Sequence, residues 1–154
     1  MKILWGLVAI GGLVIVVFIF IKPFSRPITS TQTPTTSPSP EIDQVDFTAS
    51  FTIITNGVTR NFNSAMYHNR SSDVYIEASD PTLIQVKKRG VTWNDFFQTL
   101  PFKLTKNCLT TGTNEKFCSG ENGTLRFYLN DIENPNLLDA EIQAGDRTLI
   151  QFSS

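Results

Sequence analysis

The chain has 154 residues, with 13 basic and 14 acidic side chains, a formal net charge of −1, two cysteines and a single histidine. This near-neutral balance excludes the broad positive surface of a nucleic-acid binder. One imidazole and two thiols also fall short of the four ligands a structural zinc site requires.

Ile3 to Ile21 is an uncharged apolar run of 19 residues bounded by Lys2 and Lys22. It is long enough to cross a bilayer core of about 30 Å as a helix. It ends in Ile-Phe-Ile-Lys-Pro-Phe, bulky residues where a signal peptidase needs small ones. The expectation is a retained transmembrane anchor over residues 1–22, with the membrane as partner through residues 3–21. Residues 23–41 carry Ser, Thr and Pro at most positions, a composition that buries too little surface to offset chain entropy and reads as a linker. The remainder, 42–154, is long enough for one domain.

Lys22 and Arg26 follow the apolar run and only Lys2 precedes it, a bias that by the positive-inside tendency favours a cytoplasmic C-terminal part. The Ser/Thr/Pro stalk and the cysteine pair favour the opposite side. The expectation adopted is a single-pass protein of the cell membrane with an extracytoplasmic domain.

Within the domain, Phe47, Ala49, Phe51 and Ile53 alternate with Thr48, Ser50 and Thr52, which predicts a strand with one buried face. Asn56-Gly57 accepts the positive dihedrals of a type I′ turn, so Val58 to Phe62 is expected to return as a second strand. Val74, Ile76 and Ala78 are expected to face one way on a third strand and Tyr75, Glu77 and Ser79 the other, with TLIQVKK (82–88) extending the sheet. The cluster VKKRG (86–90) reads as a solvated turn or strand end.

The period then changes. Thr92 and Asp95 form a capping-box variant, and Trp93, Phe96, Phe97 and Leu100 share one face of a helix that Pro101 stops. Cys108 and Cys118 frame the polar loop CLTTGTNEKFC, a pattern that suits a disulfide; two reduced, unrelated thiols are the alternative. Leu125, Phe127 and Leu129 mark an inward strand face, and AEIQAGDRTLIQF (140–152) predicts two extended segments around Gly145-Asp146. These elements add up to an α+β domain, a mixed sheet with one short helix. Asn130-Asp131 and the later Gly-Asp turn resemble the end of β-grasp domains over about thirty residues, so the fold is read as β-grasp-like. A small β-sandwich with a helical insertion is the alternative.

Residues 66–154 resemble a family of small prokaryotic membrane-anchored proteins whose typical members read His-Thr-His-Asp, then Ile-His-Ile-Glu-Ser-Pro, then Thr-Leu-Gly-Asp-Phe-Phe, then Val-Asn-Gly. Here MYHNRSSDVYIEAS lies over the first two motifs, TWNDFF over the third and LND over the fourth. Asp95, Phe96 and Phe97 match. Met66, Asn69 and Tyr75 replace the family's first histidine, aspartate and third histidine, while His68 and Glu77 remain. If the resemblance implies a metal site in typical members, one imidazole and one carboxylate do not suffice to keep it. No metal and no cofactor are expected. His68, Tyr75 and Glu77 are retained as binding candidates.

No nucleophile elbow or phosphate loop is present. Asp139 and Glu141, two apart, read as a polar strand face rather than an acid/base pair. Asn69-Arg70-Ser71 and Asn122-Gly123-Thr124 match the glycosylation pattern, at a frequency expected for this composition. The functional expectation is a non-catalytic binding or interaction module at the cell surface, binding no nucleic acid. The alternatives are a pilin-like envelope subunit and a degenerate member of a metal-binding family.

Overall fold

A computed structural model describes residues 43–120 and 122–154. The expected anchor and linker lie outside the described residues. Among the described residues no helix is long and apolar enough to cross a membrane.

Strand β1 (Gln44–Thr55) follows from its alternation: Ala49, Phe51, Ile53 and Thr55 are buried and the intervening residues are not. It ends where Asn56 and Gly57 both take positive φ, 50° and 77°, the combination a type I′ hairpin requires. The returning strand β2 covers only Val58–Thr59, not the expected 58–62. The reason is competition for one edge. Strand β4 (Leu83–Lys88) already pairs antiparallel with β1 from Ser50 back to Gln44, and Phe51 N donates to Thr82 O. A longer β2 would collide with it, so the chain leaves the sheet and Phe62 turns inward against Phe51, ring centroids 4.8 Å apart.

Strand β3 (Val74–Ile76) pairs with β4 but stops short of the expected residue 79, leaving Ala78 exposed rather than inward. Its continuation is consumed by the turn at Asp80-Pro81, where the Asp80 carboxylate accepts from Thr82 N at 3.0 Å and Thr82 Oγ1 at 2.6 Å. Helix α1 (Trp93–Gln98) carries the expected cap: Asp95 N donates to Thr92 Oγ1 at 3.1 Å and Thr92 N to Asp95 Oδ2 at 2.9 Å. Trp93, Phe96 and Phe97 are buried.

Beyond the helix lies a feature the sequence reading lacked, a second, three-stranded sheet of β5 (Lys103–Leu104), β6 (Cys108–Thr110) and β7 (Lys116–Cys118). Cys108 and Cys118 are opposed in its ladder, Cα atoms 4.0 Å apart with sulfurs at disulfide distance. Strands β8 (Thr124–Leu129) and β9 (Ile132–Glu133) are joined through Asn130 and Asp131, φ 52° and 69°.

Residues 140–144 do not form the expected strand. A 3₁₀ turn, Leu137–Asp139, precedes them, and their one β-bridge joins Glu141 to Thr92, the helix cap, outside any strand. The last strand, β10 (Arg147–Ser153), instead inserts between β1 and β8. It runs parallel to β1 and antiparallel to β8, and a parallel neighbour is reached by a long crossover rather than a tight turn. The main sheet therefore reads β3-β4-β1-β10-β8-β9, with β2 on the edge of β1. The domain is a small mixed sheet with one short α-helix. Its core lies between the Phe51, Ile53, Ile84 and Ile150 face of the sheet and the aromatic face of α1.

Candidate functional site

The departure of the chain from β2 shapes a cleft. After Thr59, residues 60–68 cross the end of the core and carry Phe62, Met66 and Tyr67 past the small sheet. A cleft of about 410 Å³ opens between them, with Phe102 beside it and Thr111 to Thr113 opposite. Its apolar wall is a contiguous aromatic set: Phe62 to Tyr67 is 5.2 Å and Phe62 to Phe102 is 6.1 Å between centroids. Met66 is 49% exposed on this cleft, and its flexible thioether suits an adaptable contact.

Arg60 lies on the same cleft. Nε donates to Thr55 Oγ1 at 2.6 Å, Nη2 donates to Glu115 Oε2 at 3.3 Å, and the guanidinium sits 4.9 Å above the Phe117 ring. Thr55 ends β1 and Glu115 belongs to the β6–β7 tip, so one side chain couples the main sheet to the small one. The opposite wall is positioned by the β6–β7 hairpin, which the cysteine pair closes at its base.

A second cleft, about 520 Å³, lies between α1 and β5. Its Lys106 is engaged at 2.6 Å with Asp139 and at 3.2 Å with Asn136, and its lining is divided almost evenly between polar and apolar groups. Aromatic anchoring favours the first cleft as a binding site.

The three sequence candidates do not form one site. His68 is half-buried and its Nε2 lies 2.9 Å from Phe62 O, a hydrogen bond in which the imidazole donates and ties the two ends of the 62–68 segment together. It supports the aromatic wall from behind. Its backbone bridges Ile76, which brings it next to β3. Tyr75, however, belongs to the opposite, outer face of the sheet, where it pairs with Gln85. Glu77 lies just past the strand end and accepts from Ser79 Oγ at 3.2 Å. The charged group of that outer face is Lys87, 2.8 Å from Asp46, and Gln85 also donates to Asp46. The hydrogen bond that Lys87 donates to Asp46, and less strongly the coulombic influence of Asp46, Tyr75 and Glu77, raise its ammonium above the ordinary value. Asp46 is lowered in return, first by the Lys87 hydrogen bond.

Among the described residues no group of three or more His, Cys, Asp or Glu side chains could hold a metal ion. Sequence reasoning missed Arg60, Phe62, Tyr67 and Phe102 as site residues. The available signal was the cluster Phe62, Met66 and Tyr67 inside an otherwise polar stretch, too aromatic for an ordinary connecting loop. No protein-family model, curated protein or solved structure matches this chain.

Proposed function

We propose that the protein is a non-catalytic interaction module held at the cell surface, anchored by residues 3–21, spaced from the lipid by residues 23–41, and binding its partner through the aromatic cleft. The observation that carries the binding reading is the exposed Met66 side chain on a cleft walled by Phe62, Tyr67 and Phe102. A concave, largely apolar site with a few oriented polar groups is the usual form of a ligand site. The uncharged run at 3–21 supports the anchor, and the opposed cysteines support an oxidising, extracytoplasmic compartment. The fold is proposed to be β-grasp-like, on the strength of the order β4-β1-β10-β8-β9 around a parallel β1/β10 pair, with α1 between β4 and β8 in the chain.

The test places a photo-crosslinking residue at position 66 or at position 126, the latter exposed on the far side of the sheet, in the full chain within its own membrane. A covalent adduct with a defined envelope component from position 66 alone is expected. Equal labelling from both positions would sink the cleft as the binding surface, and recovery of the chain in the soluble fraction would sink the anchor.

A further inference from the structure

We infer that the cleft takes an organic carboxylate with an aryl or bulky alkyl body, the Arg60 guanidinium receiving the carboxylate and the Phe62, Tyr67 and Phe102 wall receiving the body. This rests on the binding reading above and adds to it the chemistry of the ligand.

A guanidinium has five N–H donors in a planar fork. In Arg60 one is given by Nε to Thr55 and one by Nη2 to Glu115. The other three, both of those on Nη1 included, have no side-chain partner among the described residues. The group is also held in place. Thr55 is 2% exposed and anchored in β1, and Phe117 lies beneath the guanidinium, so its orientation is set before any ligand arrives. A preoriented fork with unused donors on an aromatic cleft matches an oxyanion attached to an apolar body.

Glu115 is the competing anion. Its side chain is 54% exposed and stands 3.3 Å from Nη2, a surface pair of the weak kind. A ligand carboxylate therefore displaces a solvated partner rather than a buried one. The volume of about 410 Å³ suits a single arylalkanoate or the last residue of a peptide, since drug-sized sites run from about 300 to 1,000 Å³. A free arylalkanoic acid and an aromatic C-terminal residue present the same chemistry here.

The test uses the full chain in detergent micelles with methyl-labelled methionine. Met1 and Met66 are the only methionines, so the Met66 resonance reports directly on the cleft. Phenylpropionate, its amide, acetyl-Gly-Phe with a free carboxylate and the same peptide amidated are titrated separately. Each acid is expected to bind at least about tenfold tighter than its amide, the scale of a charge-assisted hydrogen bond, with the preference shrinking as salt rises. The tighter of the two acids identifies the source of the carboxylate. Arg60→Gln should erase the preference. Glu115→Gln should tighten both acids several-fold and leave the amides unchanged; it lies at an exposed position and decides the matter alone if Arg60→Gln unfolds. Equal binding of acid and amide would overturn carboxylate recognition while leaving the cleft as a binding surface. A Met66 resonance unmoved by all four compounds would overturn the ligand class, and the crosslinking at position 66 would then decide separately whether the cleft binds anything.

Discussion

The central pair β1/β10 and the hairpin β6/β7 reach order by different means. β1 and β10 pair over six residues and bury Phe51, Ile53, Ile150 and Phe152 on one face. β6 and β7 have three residues each and place only Leu109 and Phe117 in the core. A strand pair that short is marginal by its own burial. It is held instead by the cysteine pair at its base, by Arg60 at its tip, and by Phe117 packing on Phe152 at 5.4 Å. A region that buries a long apolar face carries its own stability; a region that does not must borrow it from a covalent bond and a neighbour.

Substitution in either region tests this difference, and the core should show the largest effect. Phe96 is fully buried and contacts Phe51, Trp93 and Phe97. Phe96→Ala should cost about 3–5 kcal/mol in denaturant unfolding of the full chain. A loss below about 1 kcal/mol would show that the helix does not carry the core.

Replacing both Cys108 and Cys118 by Ser should cost about 2–3 kcal/mol in the chain-entropy account of a short closed loop. The sharper readout is where protection is lost. Amide exchange should accelerate over 108–118 while 47–54 and 148–152 stay protected. Uniform loss across both regions would mean that the hairpin is not a separate unit of stability.

Asp146 tests how the parallel strand is held. It is 7% exposed, accepts from Asn130 Nδ2 at 3.0 Å and from Gln143 N at 2.9 Å, and its own carbonyl accepts from Ser50 N at 2.8 Å. Asp146→Ala should cost about 2 kcal/mol by removing two hydrogen bonds to a charged, buried carboxylate. An unchanged unfolding midpoint would place the entry to β10 under other control.

The smallest effect is expected at the helix cap. Backbone and then side-chain hydrogen bonds from Thr92 hold the Asp95 carboxyl below its ordinary value of 3.8. A depressed folded value means that the ionised carboxylate stabilises the fold above the unfolded value and that this contribution disappears as pH falls through the folded one. Asp95→Asn should therefore be less stable than the natural chain by under about 1 kcal/mol at neutral pH, an allowance for its exposure. The gap should close below pH 3.8. A gap that persists at low pH would show that the cap acts through shape rather than charge.

Several elements were legible because their causes are local. The alternation from Phe47 to Ile53, the Asn56-Gly57 turn, the Thr92–Asp95 cap and the inward Leu125 and Phe127 each need only a few neighbouring residues to be read. The site was far less legible. His68, Tyr75 and Glu77 are close in the chain, yet the sheet separates them, because Tyr75 takes the outer face while His68 closes the loop through Phe62 O. Arg60 looked like the middle of a strand, and nothing in its surroundings announced Glu115, fifty-five residues on.

Local conformations can be read from the residues themselves: which stretches extend, where they turn, and where helix α1 begins. The remainder was settled by long-range packing. It put β10 beside β1 rather than in a hairpin with residues 140–144, cut β2 short because β4 held the same edge, and brought Phe62, Tyr67 and Phe102 together around one cleft. The physical reason is that periodicity and capping are written in runs of a few residues. Competition for a sheet edge is decided between segments far apart in the chain, as between β2 and β4 on the edge of β1, and no local pattern records which segment wins.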